Sequence, residues 1–136
     1  MRIARVWRVL GALMAAVALV MGALAAHLPA EKFGLPEGRD IMREAVQMQM
    51  WHGLALVALG LGLRRPSRMQ ALAGCMMLPG AVLFCGALYI TAFSGHYLGS
   101  VAPTGGSLLI LSWLVLSVPC VFGPNRFRQD NSQRLR

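Results

Sequence analysis

The sequence predicts an all-α integral membrane protein, a four-helix bundle with both chain ends on the cytoplasmic side. Three observations predict it. The thirteen basic and five acidic residues gather in four short clusters, Arg2–Arg8, Glu31–Glu44, Arg64–Arg68 and Arg126–Arg136. No Asp, Glu, Lys or Arg occurs between Met69 and Asn125. The composition is 57% hydrophobic and 13% charged, against roughly 25% charged residues in soluble domains. Charge is costly in hydrocarbon, so clusters separated by apolar blocks fit a chain threaded through a bilayer. The blocks are continuous and lack apolar/polar alternation, which favours helices over barrel strands.

About 20 apolar residues cross a hydrocarbon core, and four segments qualify. The first, residues 9–27, follows Arg2, Arg5 and Arg8 and ends at His27. The second, residues 45–63, carries Gln47, Gln49 and His52. Asp40 suits an N-cap with Glu44 close behind, so this helix is expected to begin near Asp40, above the hydrocarbon. The third, residues 69–93, contains Pro79, which lacks an N–H and predicts a kink near Cys75 to Pro79. The fourth, residues 103–122, contains Pro119 near its end. It follows Gly95, Gly99 and Pro103, all turn formers. Thr104 is expected to cap it. Gly105 and Gly106 would then expose backbone N–H groups at a helix start, where an anion can bind; close packing is the plainer reading of the two glycines. Residues 1–125 form one membrane domain, and the basic tail, residues 126–136, is expected to be disordered and cytoplasmic.

Orientation follows from the arginines. Ten of the basic residues lie in the N-terminal segment, the connection between spans two and three, and the tail. The opposite side has Lys32, Arg39 and Arg43, offset by Glu31, Glu37, Asp40 and Glu44. The positive-inside rule therefore places both termini in the cytoplasm. The net charge of +8 does not point to nucleic acid, because the arginines flank apolar blocks and form no basic face with interleaved aromatics. The expected partner is the lipid bilayer, with a homo-oligomer or a membrane complex beyond it. Gly11 with Ala15 and Gly22 with Ala26 form small-xxx-small pairs, and Gly53, Gly60, Gly74, Gly80 and Gly86 offer further sites of close helix approach. Cys75, Cys85 and Cys120 all lie in apolar blocks without a CxxC pair and read as small buried hydrophobes.

His27, Gln49, His52, Tyr89 and Thr104 form a candidate polar cluster. With both termini inside, they are expected at the extracytoplasmic level. Gln49 and His52 are three apart and share a helix face. An imidazole in an apolar segment needs partners for both ring nitrogens, and Gln49, Tyr89 or a carbonyl of the glycine-rich turn can supply them. One reading is a polar cluster that fixes helix register. The other is a site for a metal or small solute: Met48 and His52 are one turn apart, thioether with imidazole suits Cu(I), and His27 would join them. Two histidines on separate helices also suit axial haem ligation, though no sequence feature supports haem. There is no HExxH, no GxSxG and no paired carboxylate within a span. The chain thus reads as non-enzymatic and without a cofactor, an accessory or structural membrane subunit.

Several segments resemble the YgdD/YwdK family of small bacterial inner-membrane proteins. They are Gly22-Ala-Leu-Ala-Ala-His27, Gln49-Met-Trp-His52, Leu83-Phe-Cys-Gly-Ala-Leu-Tyr89, Pro103-Thr-Gly-Gly106 and Ser112-Trp113. Their order and spacing fit over about residues 9–122, the reach of the four spans. The chain departs from the family pattern at Ala25 for a glycine, at Met48 for a tyrosine, and at Cys85 and Ala87 for serines. The resemblance implies a four-helix membrane protein and supplies no biochemical activity.

The N-terminus also has the outline of a secretory signal: arginines, an apolar core, then Ala23-Leu24-Ala25-Ala26. The length of the apolar run and the further spans favour an uncleaved anchor. Intact-mass measurement of the purified protein is expected to show the N-terminal span retained; loss of about the first 25 residues would reduce the spans to three.

Overall fold

A computed structural model describes residues 2–62 and 66–122. Arg64, Arg65 and the basic tail lie outside the described residues, as do the side chains of Arg2, Pro119 and Cys120. The described chain is all-helical: α1 (Arg2–His27), a 3-10 turn (Ala30–Lys32), α2 (Gly38–Gly62), α3 (Arg68–Ser94) and α4 (Val101–Phe122). At about 1.5 Å per residue each α-helix is about 33 Å long or more, enough for a hydrocarbon core of about 30 Å. By length and composition α1, α3 and α4 are apolar enough to cross a membrane. Helix α2 is the polar one: Arg39, Asp40, Arg43 and Glu44 lie within its first two turns, and Gln47, Gln49 and His52 follow in its apolar part.

Helix ends follow local chemistry. Ser67 caps α3 in a reciprocal box with Gln70: the Gln70 N–H donates to Ser67 Oγ at 3.2 Å, and the Ser67 N–H to Gln70 Oε1 at 2.9 Å. Gly95 ends α3 in the left-handed region at φ 74°, which a side chain would disfavour. Pro79 lies inside α3, which stays continuous through it. Helix α2 begins two residues before the expected Asp40 cap. Gly38 is buried against the Ala92 carbonyl and the Phe33 ring, and that contact fixes the start. Asp40 instead forms an exposed ion pair with Arg43 at 3.1 Å. Helix α4 begins at Val101, ahead of the expected Thr104 cap.

Packing is antiparallel between sequential neighbours, α1 on α2, α2 on α3 and α3 on α4. Small residues set the α1–α2 distance. A methyl group added at Gly11 would lie 2.5 Å from the Gly53 carbonyl oxygen, and one at Gly53 would lie 2.9 Å from the Gly11 carbonyl oxygen and 3.2 Å from the Ala15 nitrogen. Gly74 receives the Trp7 ring, and Gly80 receives Leu108 and Leu109. A methyl group added at Gly86 would meet nothing within 4 Å, so this glycine does not set a helix distance. Trp7, Leu56, Met77, Ala81 and Leu109 form a core to which all four helices contribute. A second core at the other end joins Ala25, Phe33, Met42 and Ala92.

Size is distributed inside out. Ala18, Ala45, Ala73, Ala81 and Ala92 are fully buried, while Leu19, Val20, Leu61 and Ile110 are each more than 60% exposed. On α1, Val6, Val9, Leu13, Val17, Val20 and Leu24 form one exposed apolar stripe. Small residues between helices and large aliphatics outside suit lipid as the solvent. Of the cysteines, Cys85 is buried as expected, but Cys75 is exposed on the outer surface of α3.

Replacing Gly11 by Ala is expected to cost about 1–3 kcal/mol through overpacking against backbone that cannot retract. Gly86→Ala meets open space and is expected to be neutral or to gain up to about 1 kcal/mol in helix propensity. Denaturation in mixed detergent micelles measures both; equal effects would contradict the α1–α2 register.

Candidate functional site

Helix α2 carries the polar side chains that reach the interior. Gln49 is buried and its Nε2 donates to the Met14 carbonyl of α1 at 2.8 Å. His52, 4% exposed, uses both ring nitrogens. Nδ1 lies 2.6 Å from the Met48 carbonyl oxygen, and the Trp113 indole N–H donates to Nε2 at 3.2 Å. An indole only donates and a carbonyl only accepts. The pair therefore selects the neutral tautomer with the proton on Nδ1. The Trp113 ring meets the imidazole edge-on, with centroids 6.1 Å apart. These bonds tie α2 to α1 on one side and to α4 on the other.

The depth of His52 differs from expectation. Its neighbour Gly53 is level with Gly11, and its partner Trp113 is near the midpoint of α4. His52 thus lies at mid-height of the helices rather than at their outer end. His27, by contrast, is exposed at the last residue of α1. Thirteen residues separate it from Met14, which is level with Gln49; that is about 20 Å of helical rise. The two histidines do not share a site. Met48 meets His52 through its backbone carbonyl, not its thioether. The proposed metal set of His27, Met48 and His52 is therefore not assembled, nor is a pair of axial haem ligands.

The remaining predicted residues also separate. Tyr89 packs against the second core, and its hydroxyl is buried without a hydrogen-bond partner among the described residues. Thr104 is exposed in the first turn of α4. Gly105 lies in the helix body, where an added methyl group would be 2.5 Å from the Phe84 nitrogen and 2.9 Å from the Gly80 carbonyl oxygen. Close packing on α3 accounts for it, and neither Gly105 nor Gly106 presents a free helix start. Among the described residues no group of three or more His, Cys, Asp or Glu comes together in a way that could hold a metal ion.

A second polar arrangement was not anticipated. Arg39, near the start of α2, donates to the carbonyls of Ala25 at 2.7 Å, Ala26 at 3.3 Å and Leu28 at 2.6 Å. Ala25 and Ala26 lie in the last turn of α1, whose carbonyls lack an intrahelical partner and carry the negative end of the helix dipole, and Leu28 follows directly. The guanidinium lies 5.2 Å from the Phe33 ring centroid, and Phe33 stacks on Phe93 with centroids 6.0 Å apart. The Gly34 N–H donates to the Ala92 carbonyl at 2.9 Å. One arginine, two phenylalanines and one glycine thus fasten the α1–α2 connection to the end of α3. A sequence signal existed for each missed partner. An indole N–H in an apolar span needs an acceptor, and a basic residue near a helix C-terminus commonly meets the last carbonyls.

Comparison with known proteins fits this architecture. Residues 21–106 match a family described as a protein of unknown function, DUF423. The chain belongs to the DUF423 family. A UPF0382 membrane protein of Staphylococcus epidermidis is 37% identical over 115 residues, covering 84% of this chain and 93% of the relative. The UPF0382 membrane protein YwdK of Bacillus subtilis is 33% identical over 126 residues, covering 86% and 97%. A UPF0382 membrane protein of Haemophilus influenzae is 32% identical over 73 residues, covering 53% and 59%. No solved structure matches the chain. This DUF423 protein is a helical membrane protein whose relatives carry no assigned activity.

The His52–Trp113 bond is testable by a double-mutant cycle. His52→Phe and Trp113→Phe are each expected to destabilise the protein. Their coupling is expected at about 0.6–2 kcal/mol, the range for hydrogen bonds between membrane helices. Strict additivity in micelle unfolding would show that the bond contributes nothing.

Proposed function

We propose that this chain is a four-span inner-membrane protein with both ends in the cytoplasm, serving as a non-enzymatic accessory or structural subunit. The observation that carries the proposal is the use of the interior polar groups. Gln49 and His52 are both engaged in bonds to other helices, and Arg39 is engaged by the end of α1. In hydrocarbon such groups need internal partners, and here meeting that need also locks the helices to one another. The interior chemistry is that of a scaffold. Engagement of both His52 nitrogens weighs against the copper or solute site, since a ligand would have to displace Trp113 or the Met48 carbonyl.

Two features support four spans. Helix α2 lies antiparallel between α1 and α3, level with both along its apolar part. Its charged residues Arg39 to Glu44 fall at the end shared with His27 and Ser94. The arginines Arg5, Arg8 and Arg68 fall at the opposite end, which supports cytoplasmic termini.

Reporter fusions after Phe122 and within residues 34–37 test the topology. A cytoplasmic signal from the first and an extracytoplasmic signal from the second are expected; the reverse pattern overturns it. Affinity purification in mild detergent tests the accessory role. Recovery with a membrane partner in constant ratio is expected. A lone monomer, with membrane complexes unchanged on deletion, overturns it.

A further inference from the structure

We infer that the arginine end of the bundle is a binding surface for the phosphate groups of anionic phospholipids, with Arg5 and Arg68 as the principal contacts and Arg8 as a third. The inference rests on the membrane-spanning reading above. Its first support is an imbalance of charge. Helices α1 and α3 both start at this end, so both present the positive end of a helix dipole. Acidic residues are the usual complement there, yet neither first turn contains one. Arg5 lies just past the start of α1, and Arg68 is the first residue of α3. Among the described residues, Arg5, Arg8 and Arg68 have no acidic partner and no hydrogen bond. The acidic residues Glu31, Glu37, Asp40 and Glu44 all sit toward the opposite end. Among the described residues, this end thus carries positive charge with no acidic side chain beside it.

The second support is placement. Trp7 is 2% exposed because its ring lies in the notch of Gly74, where a methyl group would be 2.6 Å from the ring carbons Cε2 and Cζ2. That contact holds the beginnings of α1 and α3 at the same end of the bundle, the end that carries Arg5 and Arg68. Gly60 opens a second notch. A methyl group there would lie 2.5 Å from Arg8 Cγ and 2.5 Å from the Ala4 carbonyl oxygen. The Arg8 stem therefore crosses the last turn of α2, whose negative dipole end offsets part of its charge. All three arginines are exposed, and Val6 and Val9 beside them are exposed on the lipid-facing stripe. Guanidinium pairs phosphate in bidentate geometry, and the apolar stripe fits the acyl chains below the headgroup. A lipid satisfies both halves of this surface; free phosphate satisfies one.

Native mass spectrometry of the full-length protein in detergent micelles tests this, with phosphatidylglycerol and phosphatidylcholine of matched chains as probes. Preferential retention of phosphatidylglycerol is expected. Arg5→Gln combined with Arg68→Gln is expected to weaken it by about fivefold per arginine, the effect of one cation near an anionic surface. Arg43→Gln at the acidic end is expected to leave it unchanged. Equal retention of both lipids, or equal loss in Arg43→Gln, overturns the inference, and so does displacement by millimolar inorganic phosphate. Should the double variant aggregate, salt decides: retention of phosphatidylglycerol that does not fall between low and high salt also overturns it. Micelle binding is independent of which way the arginine end faces, so this result and the reporter-fusion result fail separately.

Discussion

The rest of the structure depends on the backbone contact between α1 and α2 at Gly11, Gly53 and Gly60. Lipid tails are as apolar as the side chains, so no hydrophobic force holds these helices together. What holds them is van der Waals contact, and that is strongest where no Cβ intervenes. The approach at Gly11 and Gly53 brings the Met14 carbonyl within reach of Gln49. The approach at Gly60 lays the Arg8 stem across α2. With α1 fixed in this register, Trp7 meets Gly74 of α3, and at the far end the last carbonyls of α1 meet Arg39.

Polar groups then convert contact into specificity. Helix α2 is the least apolar of the four helices, and it holds Gln49 and His52 at mid-height. Each finds a partner on another helix, so its rotation about its own axis is fixed from two sides. The end that carries His27 and Ser94 is fixed differently, by a guanidinium gathering three carbonyls and by stacked rings. The bundle is thus polar at its centre, aromatic and cationic at one end, and arginine-rich with a buried tryptophan at the other.

Most of the fold was legible in the sequence. The four helices were expected, though α1 starts at Arg2 rather than near residue 9, and Gly38 and Val101 start helices earlier than Asp40 and Thr104. The last two differences have tertiary causes: Gly38 is buried against α3, and α4 starts early enough to seat Gly105 on Gly80 and Phe84. The candidate site was less legible. For the His52 imidazole the sequence offers Gln49, Tyr89 or a carbonyl of the glycine-rich turn as partners, whereas its ring nitrogens meet the Met48 carbonyl and Trp113. Helices α3 and α4 are apolar almost all round, so no pattern in them indicates which face meets α2. Trp113 could be recognised as a donor but not as the donor facing His52.

Hydropathy and charge are properties of position along a chain, and they add from residue to residue. That is why the sequence alone determined the helices, the membrane setting, the family, and the end at which the arginines gather. Rotation and relative depth are properties of pairs of helices, decided by which small residues let two backbones touch. Only the tertiary structure could therefore set His52 at mid-height, separate it from His27, give it to Trp113, and seat Trp7 of α1 on Gly74 of α3.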